Sequence, residues 1–295
     1  MDRIRTMPRL CLILTVVLSL SGAALRSVCM LTQFDAKVGY FNEGPLPTLS
    51  NILYFIAVLA ATVGAVLIPK NSLSEKLDTR LRLPAAFLWG LSLAAFAIGA
   101  LLLCVPQRTG NLVLLPTALA LPASAYFFIS ADRSGRYPDW LSLLGFLPVL
   151  WCIAAVGETY ADQFTAMNSP IKVSLQMGFI GLALILISEL RFRLGKPQPR
   201  AAVALMSMGV FLSLSAAVPV LLATGAHILD NKLHLFYAVV LLCGGLYGLY
   251  TLFQYTWFPT EEEDSPEAEE MEPPLPTEED TPASPADTSD SPNAE

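Results

Sequence analysis

The chain reads as an all-α, polytopic transmembrane helix bundle of about eight spans, closed by a disordered acidic tail. Three observations predict this class. Of the 295 residues, 54% are hydrophobic and 15% charged, whereas soluble domains carry about 45–50% apolar and about 25% charged residues. Eight apolar stretches approach the roughly 20 residues that a helix needs to cross a bilayer core about 30 Å thick. Lys and Arg cluster in every second connection, as they do when alternate loops face the cytoplasm.

The predicted spans run Leu10–Leu31, Leu49–Ile68, Leu83–Cys104, Leu112–Ser130, Trp140–Val156, Val173–Leu190, Ala201–Thr224 and Leu233–Trp257. None alternates polar and apolar residues for long, so a transmembrane barrel does not fit. Helices are the remaining solution, because lipid offers no partner to an open backbone group. Residues 1–257 thus form the bundle and residues 258–295 the tail.

Orientation follows from the basic residues. Arg3, Arg5 and Arg9 precede the first span, and Lys70, Lys76, Arg80 and Arg82 occupy the second loop. Arg133 and Arg136 lie in the fourth loop, and Arg191, Arg193, Lys196 and Arg200 in the sixth. The alternate set holds only Lys37, Arg108, Lys172 and Lys232. This split predicts both termini on the cytoplasmic side of a plasma membrane. A rival reading treats the run Leu10–Leu20 and the small residues Ser21–Ala24 as a cleaved signal, which would leave seven spans. Arg26 and Cys29 continue towards a span end and favour retention.

The tail holds 14 of the 25 acidic residues and no Lys or Arg, so the first 257 residues carry 18 bases against 11 acids. Its Glu, Asp, Pro, Ser and Thr bury too little apolar surface to offset ordering entropy. It solvates the inner face, or it contacts a protein partner or the basic inner loops of its own chain. The loops are too short for a soluble domain. Any ligand site therefore lies in the bundle or at its mouths, the lipid bilayer is the first partner, and nucleic acid is not one.

Arg26 is the most informative ionisable residue, because it lies inside the first span, where an unpaired charge is costly. It either snorkels to the outer interface or faces the bundle, paired with Glu158 at the end of the fifth span or holding an anionic group. Gln176 and Asn51 are the strongest neutral polar groups near span starts, suited to interhelical hydrogen bonds or a cavity lining. Arg26, Glu158 and Gln176 are therefore the ligand or cavity candidates. Glu189, beside Arg191 and Arg193, reads as an interfacial ion pair of small value.

Catalytic signals are missing. There is no phosphate-binding glycine loop, no His-Glu-x-x-His and no Gly-x-Ser-x-Gly stretch, so no catalytic residue, metal site or cofactor is assigned. His227 and His234 flank the last outer turn around Asp230 without a metal-ligand spacing. Cys11, Cys29, Cys104, Cys152 and Cys243 lie in or at the ends of spans and read as small packing residues.

Proline and small residues describe the packing. Pro148 in the fifth span, Pro116 and Pro122 in the fourth and Pro219 in the seventh each remove a backbone bond and can break or kink a helix. Gly244 with Gly248, Ala60 with Gly64, and Gly90 with Ala94 offer small faces for close approach. Trp140 and the Tyr255–Trp257 pair sit where an interfacial aromatic belt is expected. Tyr237 and Tyr247 read as core residues, and no internal repeat is readable.

The first outer loop contains Phe34-Asp35-Ala36-Lys37-Val38-Gly39-Tyr40-Phe41. Asp35 can bond its own backbone and Gly39 tolerates positive φ, so the segment reads as a turn. Following an Arg-containing first span, it resembles uncharacterised bacterial polytopic membrane proteins with a Phe-Asp-x-x-x-Gly segment there. The resemblance implies a bacterial plasma membrane and brings no activity. Two function classes follow from the chain itself: a transport-like, ligand-translocating bundle, or a non-enzymatic interaction, scaffold or sensing module acting through loops and tail. A continuous polar path would favour the first and a dry, filled core the second.

Overall fold

The computed structural model describes residues 2–69, 72–73, 83–104, 111–132, 139–163 and 165–257. Lys70, Lys76, Arg80, Arg82, Arg108, Arg133 and Arg136, which enter the orientation argument, lie outside them, as does the acidic tail. The described chain is almost entirely helical: α1 (Asp2–Thr32), α2 (Pro45–Leu67), α3 (Leu83–Gly99), α4 (Leu114–Asp132), α5 (Asp139–Leu144), α6 (Phe146–Ala161), α7 (Pro170–Arg193), α8 (Pro199–Gly225) and α9 (Lys232–Trp257). Eight of its helical segments are long and apolar enough to cross a membrane, α5 and α6 together making one. This is a multi-pass membrane protein.

Proline chemistry sets several helix limits. Pro45, Pro170 and Pro199 stand at helix starts, where the missing N–H has no partner to lose. Ser169 caps α7 by accepting the Lys172 backbone N–H at 3.2 Å, as a Ser N-cap should. Pro116 was expected to break the fourth span but lies in the first turn of α4, where it costs nothing. The helix runs on through Pro122, and α8 runs through Pro219. Pro148 acts three residues upstream of itself. The fifth span is interrupted at Gly145, between α5 and α6, next to the Leu144 carbonyl that the Pro148 ring would crowd in a continuous helix.

The bundle centres on α8, which packs along α1, α2, α7 and α9. α1 is built into it. Cys11 and Leu12 join Val203, Met206 and Leu252 in one buried cluster, and a Cβ on Gly22 would come within 2.7 Å of the Phe211 ring. The Arg9 guanidinium sits 4.7 Å over the Trp257 ring, so the start of α1 and the end of α9 share one end of the bundle. The opposite end carries a two-stranded hairpin, β1 (Phe34–Asp35) and β2 (Tyr40–Phe41), paired Phe34 to Phe41 and Asp35 to Tyr40. We call these the terminal end and the hairpin end.

The hairpin turn forms as its residues suggest. The Lys37 N–H donates to Asp35 Oδ1 at 2.8 Å, and Gly39 has φ +82°, a conformation glycine adopts without penalty. Tyr40 Oη donates to the Met167 carbonyl, tying the hairpin to the α6–α7 connection. The small faces read from the sequence all carry close packing. A Cβ on Gly64 would touch Cys11, on Gly90 Phe127, on Gly244 Leu182 and Trp89, and on Gly248 Ile185. Cys11, Cys29 and Cys152 are buried and unbridged.

Candidate functional site

Arg26 sits six residues before the end of α1 and is 7% exposed. It does not snorkel into water. Its Nη2 donates to the Pro170 carbonyl at 3.2 Å and to Ser174 Oγ at 3.1 Å, both on the first turns of α7. The Phe41 ring of the hairpin lies 4.8 Å from the guanidinium carbon, a cation–π distance. Phe34 braces Phe41 edge-on at 6.0 Å. Arg26 Nε is buried with no hydrogen-bond partner. Among the described residues no carboxylate lies within ion-pair distance of this cation.

Arg26 heads a cavity of about 400 Å³ between α2 and α7. One wall is Asn51, Tyr54, Phe55 and Val58 of α2, and the other is Val173, Ser174 and Met177 of α7. Leu212 of α8 completes the lining. The lining is apolar away from the head. Phe55, Val58, Val173 and Met177 are also exposed at the surface of the bundle, so the cavity opens sideways rather than only towards the hairpin end. Tyr54 packs edge-on against Phe211 at 5.0 Å, and its buried Oη has no hydrogen-bond partner. α2 borders the cavity because it is the least embedded helix, with Ser50, Ala57 and Ala65 its only buried residues.

Glu158 does not join this site. It is buried near the end of α6 and accepts a hydrogen bond from Tyr237 Oη of α9 at 3.1 Å. The alternative that paired Arg26 with Glu158 is not what forms: Arg26 bonds to the Pro170 carbonyl and the Ser174 hydroxyl, and Glu158 to Tyr237. Gln176 is half-buried on α7 and does not line the cavity.

One turn beyond Glu158, Asp162 ends α6 and builds a polar cluster. Its carboxylate accepts from Thr165 Oγ1 at 2.6 Å and lies 3.6 Å from His234 Nε2. Its carbonyl accepts from Lys172 Nζ at 2.6 Å. Asn231 Nδ2 lies 3.3 Å from the same His234 nitrogen, and Asn231 Oδ1 accepts the Leu233 N–H at the start of α9. Lys172, Asp162 and His234 are all buried. This cluster fastens α6, α7 and α9 together at the hairpin end. Asp162, Lys172 and Tyr237 are site-like residues that the sequence reading did not single out as ligand candidates. The available signal was spacing: Glu158 and Asp162 are four apart on one helix, and His234 and Tyr237 three apart on another, so each pair shares a face. His227, at φ 57° beyond the end of α8, is exposed and apart from His234. Among the described residues no three metal-ligating groups converge.

Between the two ends the core is aromatic. Phe96, Trp151, Phe179 and Tyr237 contact one another towards the hairpin end, with centroids 4.9–6.5 Å apart. Trp89, Phe127 and Tyr247 form a second group, 4.4–5.9 Å apart. Tyr247 Oη donates to Glu189 Oε2, and Arg193 Nε donates to Oε1 at 3.0 Å. Arg193 also covers the Tyr126 ring at 5.4 Å. Glu189 is only 3% exposed, so it is a buried polar junction and not the weak surface pair its neighbours suggested.

The indole N–H groups of Trp89 and Trp151 are buried without partners. An unsatisfied buried donor offsets part of what the ring gains by burial. Trp151→Phe should therefore change stability by no more than about 1 kcal/mol, well short of the roughly 3–5 kcal/mol of a Trp→Ala truncation. Thermal unfolding in detergent checks this, and a Phe variant as unstable as the Ala variant would contradict it.

These features define the class: an all-α, multi-pass membrane bundle with a buried arginine over a lateral apolar cavity. Comparison with protein families, curated proteins and solved structures yields no match.

Proposed function

We propose that this protein is a ligand-binding bundle of the plasma membrane that admits its ligand sideways into the Arg26 cavity and acts as an interaction or sensing module rather than a translocating one. On the positive-inside reading the termini are cytoplasmic, which makes the hairpin end outer and gives the cavity to the outer half of the membrane. The observation that carries the reading is the buried guanidinium at the head of an otherwise apolar space. A volume of about 400 Å³ falls within the usual range of small-molecule sites, about 300–1,000 Å³. Charged side chains inside membranes are retained mainly where they serve a pathway or a ligand.

The filled aromatic core argues against passage through the centre. Arg26, Gln176 and Glu158 do not join into one polar path, and the rings in contact around Trp151 and Trp89 occupy the middle of the bundle. Lateral capture, with release to the same leaflet or a conformational signal, fits this arrangement better than conduction.

Native mass spectrometry tests the reading. Wild-type protein extracted from membranes is expected to keep one amphiphile per chain under activation that strips surface lipid. Met177→Trp fills the cavity from α7 and should abolish that adduct, while Leu91→Trp, on the exposed surface of α3, should keep it. Equal adducts in all three proteins would sink the proposal.

A further inference from the structure

We infer that the ligand of the Arg26 cavity is a single-chain amphiphile with a compact anionic headgroup, a carboxylate or a phosphate monoester. This rests on the proposed lateral site and specifies its ligand.

A guanidinium taken out of water needs an anion, or enough acceptors, to offset its lost hydration. Arg26 has two neutral acceptors, a ring face, and no carboxylate among the described residues. Its Nε carries no hydrogen bond. An anion at the head of the cavity would supply the missing countercharge, and the planar fork of arginine suits two-point contact with a carboxylate or phosphate. Ser174 Oγ and Tyr54 Oη, both on the lining, add hydroxyl donors beside it.

The shape of the cavity limits the rest of the ligand. Phe41 and the first turn of α7 lie directly against Arg26, which favours a compact headgroup over a bulky one. Away from the guanidinium, the lining is Phe55 and Val58 of α2, Val173 and Met177 of α7 and Leu212 of α8. That space is apolar, and its volume of about 400 Å³ suits one alkyl chain rather than several. Its side opening faces the hydrocarbon through which such a chain would arrive.

The test uses four probes of equal chain length on full-length protein in nanodiscs of zwitterionic lipid: laurate, dodecyl phosphate, dodecanol and dodecylamine. Binding is followed by competition with the retained adduct and by thermal shift. Laurate or dodecyl phosphate is expected to bind at least tenfold more tightly than dodecanol, with dodecylamine weakest. The stronger of the two anions identifies the headgroup source. Arg26→Gln should remove that preference and leave dodecanol binding in place, and Arg26→Lys should restore part of it. Equal affinity for anion, alcohol and amine in wild type would overturn this inference while leaving the lateral site intact. Failure of all four to bind, with Met177→Trp indistinguishable from wild type, would overturn the site itself.

Discussion

Glu189→Ala is expected to destabilise the bundle by about 3–5 kcal/mol, the usual consequence of removing one partner from a buried ion pair. The carboxylate is 3% exposed and the Arg193 side chain 9%, so neither charge has water to fall back on. Glu189 Oε1 receives Arg193, and Oε2 receives Tyr247 Oη from the aromatic core. Alanine withdraws the shared acceptor from both donors and opens space beneath the Trp89–Tyr247 contact. Glu189→Gln keeps an acceptor of nearly the same shape and should cost less than half as much. Glu189→Ala combined with Arg193→Met should recover part of the loss, since the buried cation is removed together with its carboxylate. Unfolding midpoints in detergent measure all three. A Glu189→Ala protein within about 1 kcal/mol of wild type would mean that the pair behaves as an exposed one.

The spans were legible because the bilayer imposes a local rule. Each crossing must satisfy its own backbone over about 20 apolar residues, and that requirement is written in consecutive positions. The hairpin turn was legible for the same reason, since Asp35 and Gly39 act within a few residues of themselves. Arg26 stood out because an arginine inside an apolar run needs an explanation wherever it points. Its partners did not, because Ser174 is 148 residues away and nothing local selects it over Glu158. Tyr237 with Glu158 and Tyr247 with Glu189 are likewise long-range pairs, separated by 79 and 58 residues. The burial of Glu189 depends on α9 lying across it, which no pattern within α7 reveals. Pro148 shows a subtler shift: the residue was visible, but the backbone yields at the carbonyl it crowds, not at the proline.

Gly209→Val should separate α7 from α8 and cost about 3 kcal/mol or more, at the upper end of overpacking penalties. A Cβ at Gly209 would fall 2.4 Å from the Gly181 carbonyl oxygen and 2.6 Å from Ile185 Cγ1, and a Cβ at Gly181 would fall 2.8 Å from the Gly209 carbonyl. The obstacle is backbone on both sides, so no side-chain rotation relieves it and the helices must move apart. Small residues give membrane helices their packing energy by permitting this approach. Ser213 Oγ adds to the contact, with the Gly209 carbonyl at 2.7 Å and the Gly178 carbonyl at 3.3 Å. The damage should extend to ligand capture, because α7 brings Val173, Ser174 and Met177 to the cavity and α8 brings Leu212. Gly157→Ala is the matched control. It lies on an exposed face of α6 with nothing within 4 Å of an added Cβ, and alanine should raise helix stability there by up to about 1 kcal/mol. If Gly209→Val unfolds at the same temperature as wild type and retains the adduct, the close α7–α8 crossing is not what holds the cavity open.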